Sequence, residues 1–207
     1  MSDTPKVVFL HGLGQTRGAW EPVARALPQT ECSCLDIFRM QPPLAGWSLD
    51  GASRQIADSI YAPVHLVGLS LGAVIALDIA ITYPDKVASL FLSAPQARPP
   101  RMLMRLQSVL MRVLPAKWVC PPQLSKPELL VVLKSLAGLD LTPGLPGIKV
   151  PTTVACGSSD KANLPAAHKI AQSIPDASLK IIPGVGHQWQ VTHPELFAKH
   201  LTQHLDL

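Results

Sequence analysis

The sequence predicts an α/β fold: about six strands in a mostly parallel sheet, helices on both faces, and a short helical lid. Three observations carry this. Short, continuous apolar runs alternate with segments that are apolar at helical spacing, which is how a parallel sheet buried on both faces reads. The length, 207 residues, suits one domain. The rhythm breaks once, in a proline-rich stretch near the middle.

The elements follow in order. Lys6 to Leu10 (KVVFL) is a buried strand that ends on His11-Gly12-Leu13-Gly14. Gly18 to Leu27 places Trp20, Val23 and Leu27 on one helical face. Glu31 to Ile37 is a second strand, and Leu49 to Ile60 a helix with Ile56 and Ile60 inward. Val64 to Gly68 (VHLVG) is a third strand, Leu71 to Tyr83 a long apolar helix, and Val87 to Leu92 a fourth strand. Pro127 to Leu139 reads as a helix opening on proline. Strands Thr152 to Cys156 and Ser178 to Ile182, with helices Leu164 to Ile174 and Pro194 to Leu205, complete the pattern. The stretch from Gln96 to Gln123 holds Pro99, Pro100, Pro115, Pro121 and Pro122 around one amphipathic run, Met102 to Leu114. It reads as an insertion, so the organisation is a core of residues 1–95 and 126–207 and a lid of residues 96–125.

Composition narrows the function classes. Hydrophobic residues make up 47% and charged residues 15%, which excludes disorder as the main state. The net charge is +4, yet Arg98, Arg101, Arg105, Arg112 and Lys117 all fall within the lid, which has no acidic residue. The basic balance is therefore local, without the stripe of cations and aromatics that nucleic-acid binding needs. No run is apolar over the ~18 residues of a membrane span, and the first residues lack a signal-peptide pattern, so the cytoplasm is the expected compartment. Cys32, Cys34, Cys120 and Cys156 show no metal-ligand spacing.

The strongest chemical signal is Gly68-Leu69-Ser70-Leu71-Gly72, a G-x-S-x-G between an apolar strand and an apolar helix. A nucleophile at such a turn needs a strained backbone and glycines that leave room for it. The helix N-terminus then favours negative charge developing beside the serine hydroxyl. The glycine turn after the first strand could aim a backbone N–H at the same space. The expected oxyanion donors are thus the N–H groups of Leu13 and Leu71. A dinucleotide loop is the alternative for Gly12 and Gly14, but its third glycine is missing.

A serine needs a base, and seven histidines offer one. His65 lies inside a strand, His168 mid-helix, His193 beside Pro194, and His200 and His204 on the last helix; His11 reads as structural. His187 ends Pro183-Gly184-Val185-Gly186-His187, a loop at the carboxyl end of the last strand, where parallel sheets place their sites. Asp160 follows the fifth strand through Gly157-Ser158-Ser159 and is the expected orienting acid; Asp140 and Asp36 are the alternatives. Within the lid, Met102, Leu106 and Leu110 are candidates to line a substrate pocket. So is Trp189, which could equally pack under the His187 loop.

In these motifs the chain resembles the α/β-hydrolase superfamily: HGLG, GLSLG, the GSSD loop, and PGVGH followed by HPELF occur in family order over nearly the whole length. Among its members it is similar to small cytoplasmic serine esterases, namely carboxylesterases, carrier-protein methyl ester esterases and enol-lactonases. The resemblance implies an α/β-hydrolase fold with Ser70, Asp160 and His187 as the triad. It also implies two-step cleavage of small to medium acyl esters or lactones through an acyl-enzyme, with neither metal nor organic cofactor. The expected partner is a small-molecule ester, without nucleic acid or stable membrane insertion; the lid arginines leave open an anionic carrier or surface. The family's opening β-hairpin is not expected here, because Lys6 already begins the strand before HGLG. Fold does not fix reaction, so a lyase or C–C bond hydrolase on this scaffold, or a non-catalytic ligand-binding relative, stands as the alternative.

Overall fold

A computed structural model describes residues 6–39, 46–99, 120 and 124–205. Six strands, β1 (Val7–Leu10), β2 (Cys32–Leu35), β3 (Val64–Leu69), β4 (Val87–Ser93), β5 (Thr152–Gly157) and β6 (Ser178–Ile182), form one sheet in the order β2-β1-β3-β4-β5-β6. Every neighbouring pair is parallel. The central strands read clearly because burial on both faces leaves no room for polar alternation. β1 and β5 are buried at every residue, whereas β6, at the sheet edge, exposes most of its length.

Helices cover both faces. One face carries α2 (Leu49–Asp58), α3 (Leu71–Thr82), α4 (Lys126–Leu136) and α5 (Leu164–Ser173). The other carries α1 (Glu21–Arg25), α6 (Trp189–Thr192) and α7 (Pro194–His204). α3 is apolar all round because it lies between the sheet and α2. α4 opens on Ser125 and Glu128, whose side chains and backbone N–H groups cap each other, with Pro127 in the first turn. Across the other face runs an aromatic chain: Phe9 against Trp20, Trp20 against Phe197, and Phe197 against both Phe91 and Trp189, with centroids 4.4 to 5.2 Å apart.

One expectation is corrected. The helix expected over Gly18 to Leu27 is split into a 3₁₀ turn, Arg17–Trp20, and the short α1. Pro22 is the reason: it has no N–H to donate and its ring clashes with the carbonyl four residues back, so it is tolerated only in a first turn. The chain just after His187, to which the sequence reading assigned no element, forms the one-turn helix α6. The proposed lid, residues 96–125, falls mostly outside the described residues, as do Met102, Leu106 and Leu110. Among the described residues no helix is long and apolar enough to cross a membrane.

Candidate functional site

The strand order reverses at β1: β2 lies on one side of it and β3 on the other. Such a reversal, at the carboxyl ends of the strands, is the usual ligand position in parallel sheets. Ser70 stands there, between β3 and α3, with φ 53° and ψ −112°. A positive φ is costly for a residue with a Cβ, on the order of 1–3 kcal/mol, and persists only where the surroundings impose it. They do so here: the Ser70 N–H donates to the Ser93 carbonyl at 2.9 Å, and the Ser70 carbonyl accepts from Val74 at 3.0 Å.

The motif's glycines serve close approach. A Cβ on Gly72 would lie 2.1 Å from the Leu10 carbonyl oxygen, and one on Gly68 would lie 2.5 Å from the Gly72 backbone. α3 can thus lean against the end of β1 only without side chains at these points. Gly72→Ala is expected to cost about 3 kcal/mol, the upper end of overpacking, because the obstructing atom is backbone. Urea unfolding measures this, and a variant within about 0.5 kcal/mol of the parent would show that the contact relaxes freely.

His11, at the end of β1, is fully buried. Its Nε2 accepts from the Ile37 N–H at 3.2 Å, so Nδ1 carries the proton and donates to the Gly12 carbonyl at 3.0 Å. Burial pushes its pKa down against the opposing pull of the Gly12 bond and Asp36. His11 is therefore a neutral strut joining the ends of β1 and β2. Above it, the Gly12 N–H donates to Gln15 Oε1 at 3.1 Å, and the buried Gln190 donates to the same oxygen at 3.2 Å. The turn that carries Leu13 is thereby tied to α6, just after His187.

In the loops that leave the carboxyl ends of β5 and β6, Asp160 and His187 meet. His187 Nδ1 donates to Asp160 Oδ2 at 2.7 Å; the Asp160 side chain is 6% exposed and that of His187 36%. Burial by itself would raise the Asp160 carboxyl. The hydrogen bonds from His187 and then Asn163, aided by the histidine's charge, outweigh burial and hold it below the ordinary carboxylate range. Asn163 Nδ2 lies 2.8 Å from Oδ1 and 3.0 Å from Oδ2. The two loops interlock: Ser158 N–H donates to Ile182 O, Ser159 N–H to Val185 O, and Gly184 N–H to Ser158 Oγ. Gly157 permits this, since a Cβ there would lie 2.3 Å from the Val185 carbonyl, and Gly184 takes the turn at φ 75°. Among the described residues no hydrogen bond joins the Ser70 hydroxyl to His187; such contacts often close only when substrate is bound.

The other candidates lie elsewhere. His65 and His204 both reach Ser89 Oγ at 2.8 Å, and His204 also reaches Thr153, near the starts of β4 and β5 and so at the opposite end of the sheet. His168 is exposed, and His193 bonds Thr192. Asp140 pairs with Arg98 at 3.4 Å and caps Thr142, while Asp36 accepts from Phe38 in a turn. Trp189 is fully buried on Phe197 and donates to Ser93 Oγ at 2.8 Å, a position that fits packing beneath the loop. Burial pushes the Cys156 thiol up to about 12 and the Cys34 thiol up to about 11, so neither supplies a thiolate at neutral pH. Asn163, Gln96, Gln15 and Gln190 escaped the sequence reading. Each is an isolated amide with no motif, and only Asn163, before Leu164-Pro165, carries a local signal, that of a helix start.

A family model described as the alpha/beta hydrolase family matches residues 7–200. A pimeloyl-[acyl-carrier protein] methyl ester esterase of Methylococcus capsulatus is 36% identical over 98 residues, which span 42% of this chain and 36% of that protein. The Chromobacterium violaceum esterase of the same name is 27% identical over 98% of this chain and 94% of its own length. A thermophilic esterase from Thermogutta terrifontis superposes with a TM-score of 0.85 at 19% identity, covering 99% of this chain and 92% of that one, a likeness of fold.

Proposed function

The chain belongs to the alpha/beta hydrolase family, and from that premise we propose that it hydrolyses carboxylic esters through Ser70, His187 and Asp160. The observation that carries the reading is one sheet edge presenting both a serine at φ 53° in a strand–helix turn and a histidine bonded to a buried carboxylate at 2.7 Å.

The steps follow from the atoms. With Nδ1–H committed to Asp160, the ring offers Nε2 as the base. It takes the Ser70 proton as Oγ attacks the ester carbonyl, and the carbonyl oxygen becomes an oxyanion. The first-turn N–H of Leu71, which a helix leaves without an intrahelical partner, and the N–H of Leu13 are the donors we assign to that oxyanion. Imidazolium returns the proton to the departing alcohol, leaving an acyl-enzyme. Water then repeats the sequence and releases the acid. Asp160, held ionised, keeps the tautomer and stabilises the imidazolium.

The substrate range we assign is small to medium acyl esters and lactones. The relatives named as carrier-protein methyl ester esterases, together with the cations of residues 96–125, favour an anionic carrier among them. The test is a panel of p-nitrophenyl acetate, butyrate and octanoate, run beside fluorophosphonate labelling. Labelling at Ser70 with ester turnover is the expected result. Labelling without turnover of these esters would favour a narrower substrate or the lyase or C–C hydrolase alternative, and absence of both would favour a ligand-binding relative.

A further inference from the structure

Helix α5 breaks a local rule beside the site. Asn163 is its N-cap residue, and an N-cap asparagine ordinarily spends its side chain on the helix's first N–H groups. Here it makes no such bond. Pro165 has already removed one of the donors that a cap would serve. The freed side chain turns back. Its amide nitrogen spans both oxygens of Asp160, and its oxygen accepts from Gln96 Nε2 at 2.9 Å. The orientation is forced along the chain: an ionised carboxylate only accepts, so Asn163 must face it with NH₂, and its oxygen must then face an NH₂ from Gln96. Gln96 stands where the chain enters the segment 96–125, and Asn163 is half-buried.

We propose that Asn163, braced by Gln96, is a positioning residue that orients the Asp160 carboxylate toward His187. The proposal rests on the Ser70–His187–Asp160 reading. His187 binds Asp160 through Oδ2 alone; with only that bond and the Asn163 backbone N–H, the carboxylate could still turn about its own axis and present either oxygen to Nδ1–H. Asn163 touches both oxygens and removes that freedom. Local rules abandoned at one point in an otherwise consistent chain mark such functional sites.

The test is kinetic and spectroscopic. Asn163→Leu should lower kcat about 10- to 100-fold, the scale on which outer-shell partners and small misplacements act, with KM within about twofold and the variant still folded by its urea transition. The downfield ¹H resonance of His187 Nδ1–H should move upfield or broaden by exchange. Asn163→Asp preserves shape but replaces the donor by an acceptor, so it should lose at least as much; a packing role alone would be rescued by it. Gln96→Leu should cost about fivefold, the scale of one neutral hydrogen bond, and less than twofold in the Asn163→Leu background, because the two act in series. A kcat within twofold of the parent, an unmoved resonance, rescue by aspartate, or losses that multiply would each overturn the proposal. Asp160→Asn separates the two levels: if it too is fully active the triad reading fails, whereas if it alone is crippled only the role of Asn163 fails.

Discussion

Ser70→Ala is expected to abolish ester turnover, with kcat falling on the order of 10⁴- to 10⁶-fold, because the covalent step loses its nucleophile while binding and the oxyanion donors remain. Stability should not fall with it. Ser70 holds φ 53° against its own preference, and its backbone, not its hydroxyl, makes the bonds to Ser93 and Val74. Alanine meets the same backbone strain, so the urea midpoint should stay within about 0.5 kcal/mol of the parent. The residual rate should be insensitive to fluorophosphonate. Full esterase activity in the alanine variant would place the nucleophile elsewhere. The thiols of Cys34 and Cys156, pushed well above neutral by burial, are poor substitutes.

Asp160→Asn is expected to lower kcat on the order of 10⁴-fold, since an asparagine that turns its NH₂ toward His187 imposes the wrong tautomer. The ring would then carry its proton on Nε2, facing Ser70, where a base is needed. Steady-state kinetics at neutral pH measures this, and a rate within tenfold of the parent would transfer the orienting role from Asp160. The same substitution makes a stability prediction with a definite sign. The folded carboxyl lies below its unfolded value, so its contribution to stability is fully present above the unfolded carboxylate pKa of about 4. That contribution is lost as the pH falls through the depressed folded value. The stability gap between the parent and Asp160→Asn should therefore be constant near neutrality and close in acid. A gap that widens in acid would contradict the depressed carboxyl.

Particular residues show how far the chain can be read without its fold. β3, the Gly68–Gly72 turn and α3 were legible because their signals are local: an apolar run, two glycines, and a second apolar run of helical length. β5 and β6 were legible for the same reason, and their carboxyl ends, Gly157 to Asp160 and Pro183 to His187, were the natural places to seek an acid and a base. The break at Pro22 was also local and open to reading, yet the apolar spacing of Trp20, Val23 and Leu27 pointed through it. α6 was not legible, because one turn of helix has too few residues to show a period.

The sequence alone determined the layered parallel sheet and put forward Ser70, Asp160 and His187 as the candidate site, because periodicity, glycine placement and chain order act over short stretches. Tertiary structure decided the rest, because distances between remote residues depend on how strands are ordered and in what register they pair. It separated the seven histidines by sending His65 and His204 to the opposite end of the sheet and burying His11 as a neutral strut. It put Gly72 against Leu10 and Gly157 against Val185, giving each glycine a steric reason that no motif states. And it placed Gln96 and Asn163, 67 positions apart, behind Asp160, a juxtaposition that only the neighbouring ends of β4 and β5 create.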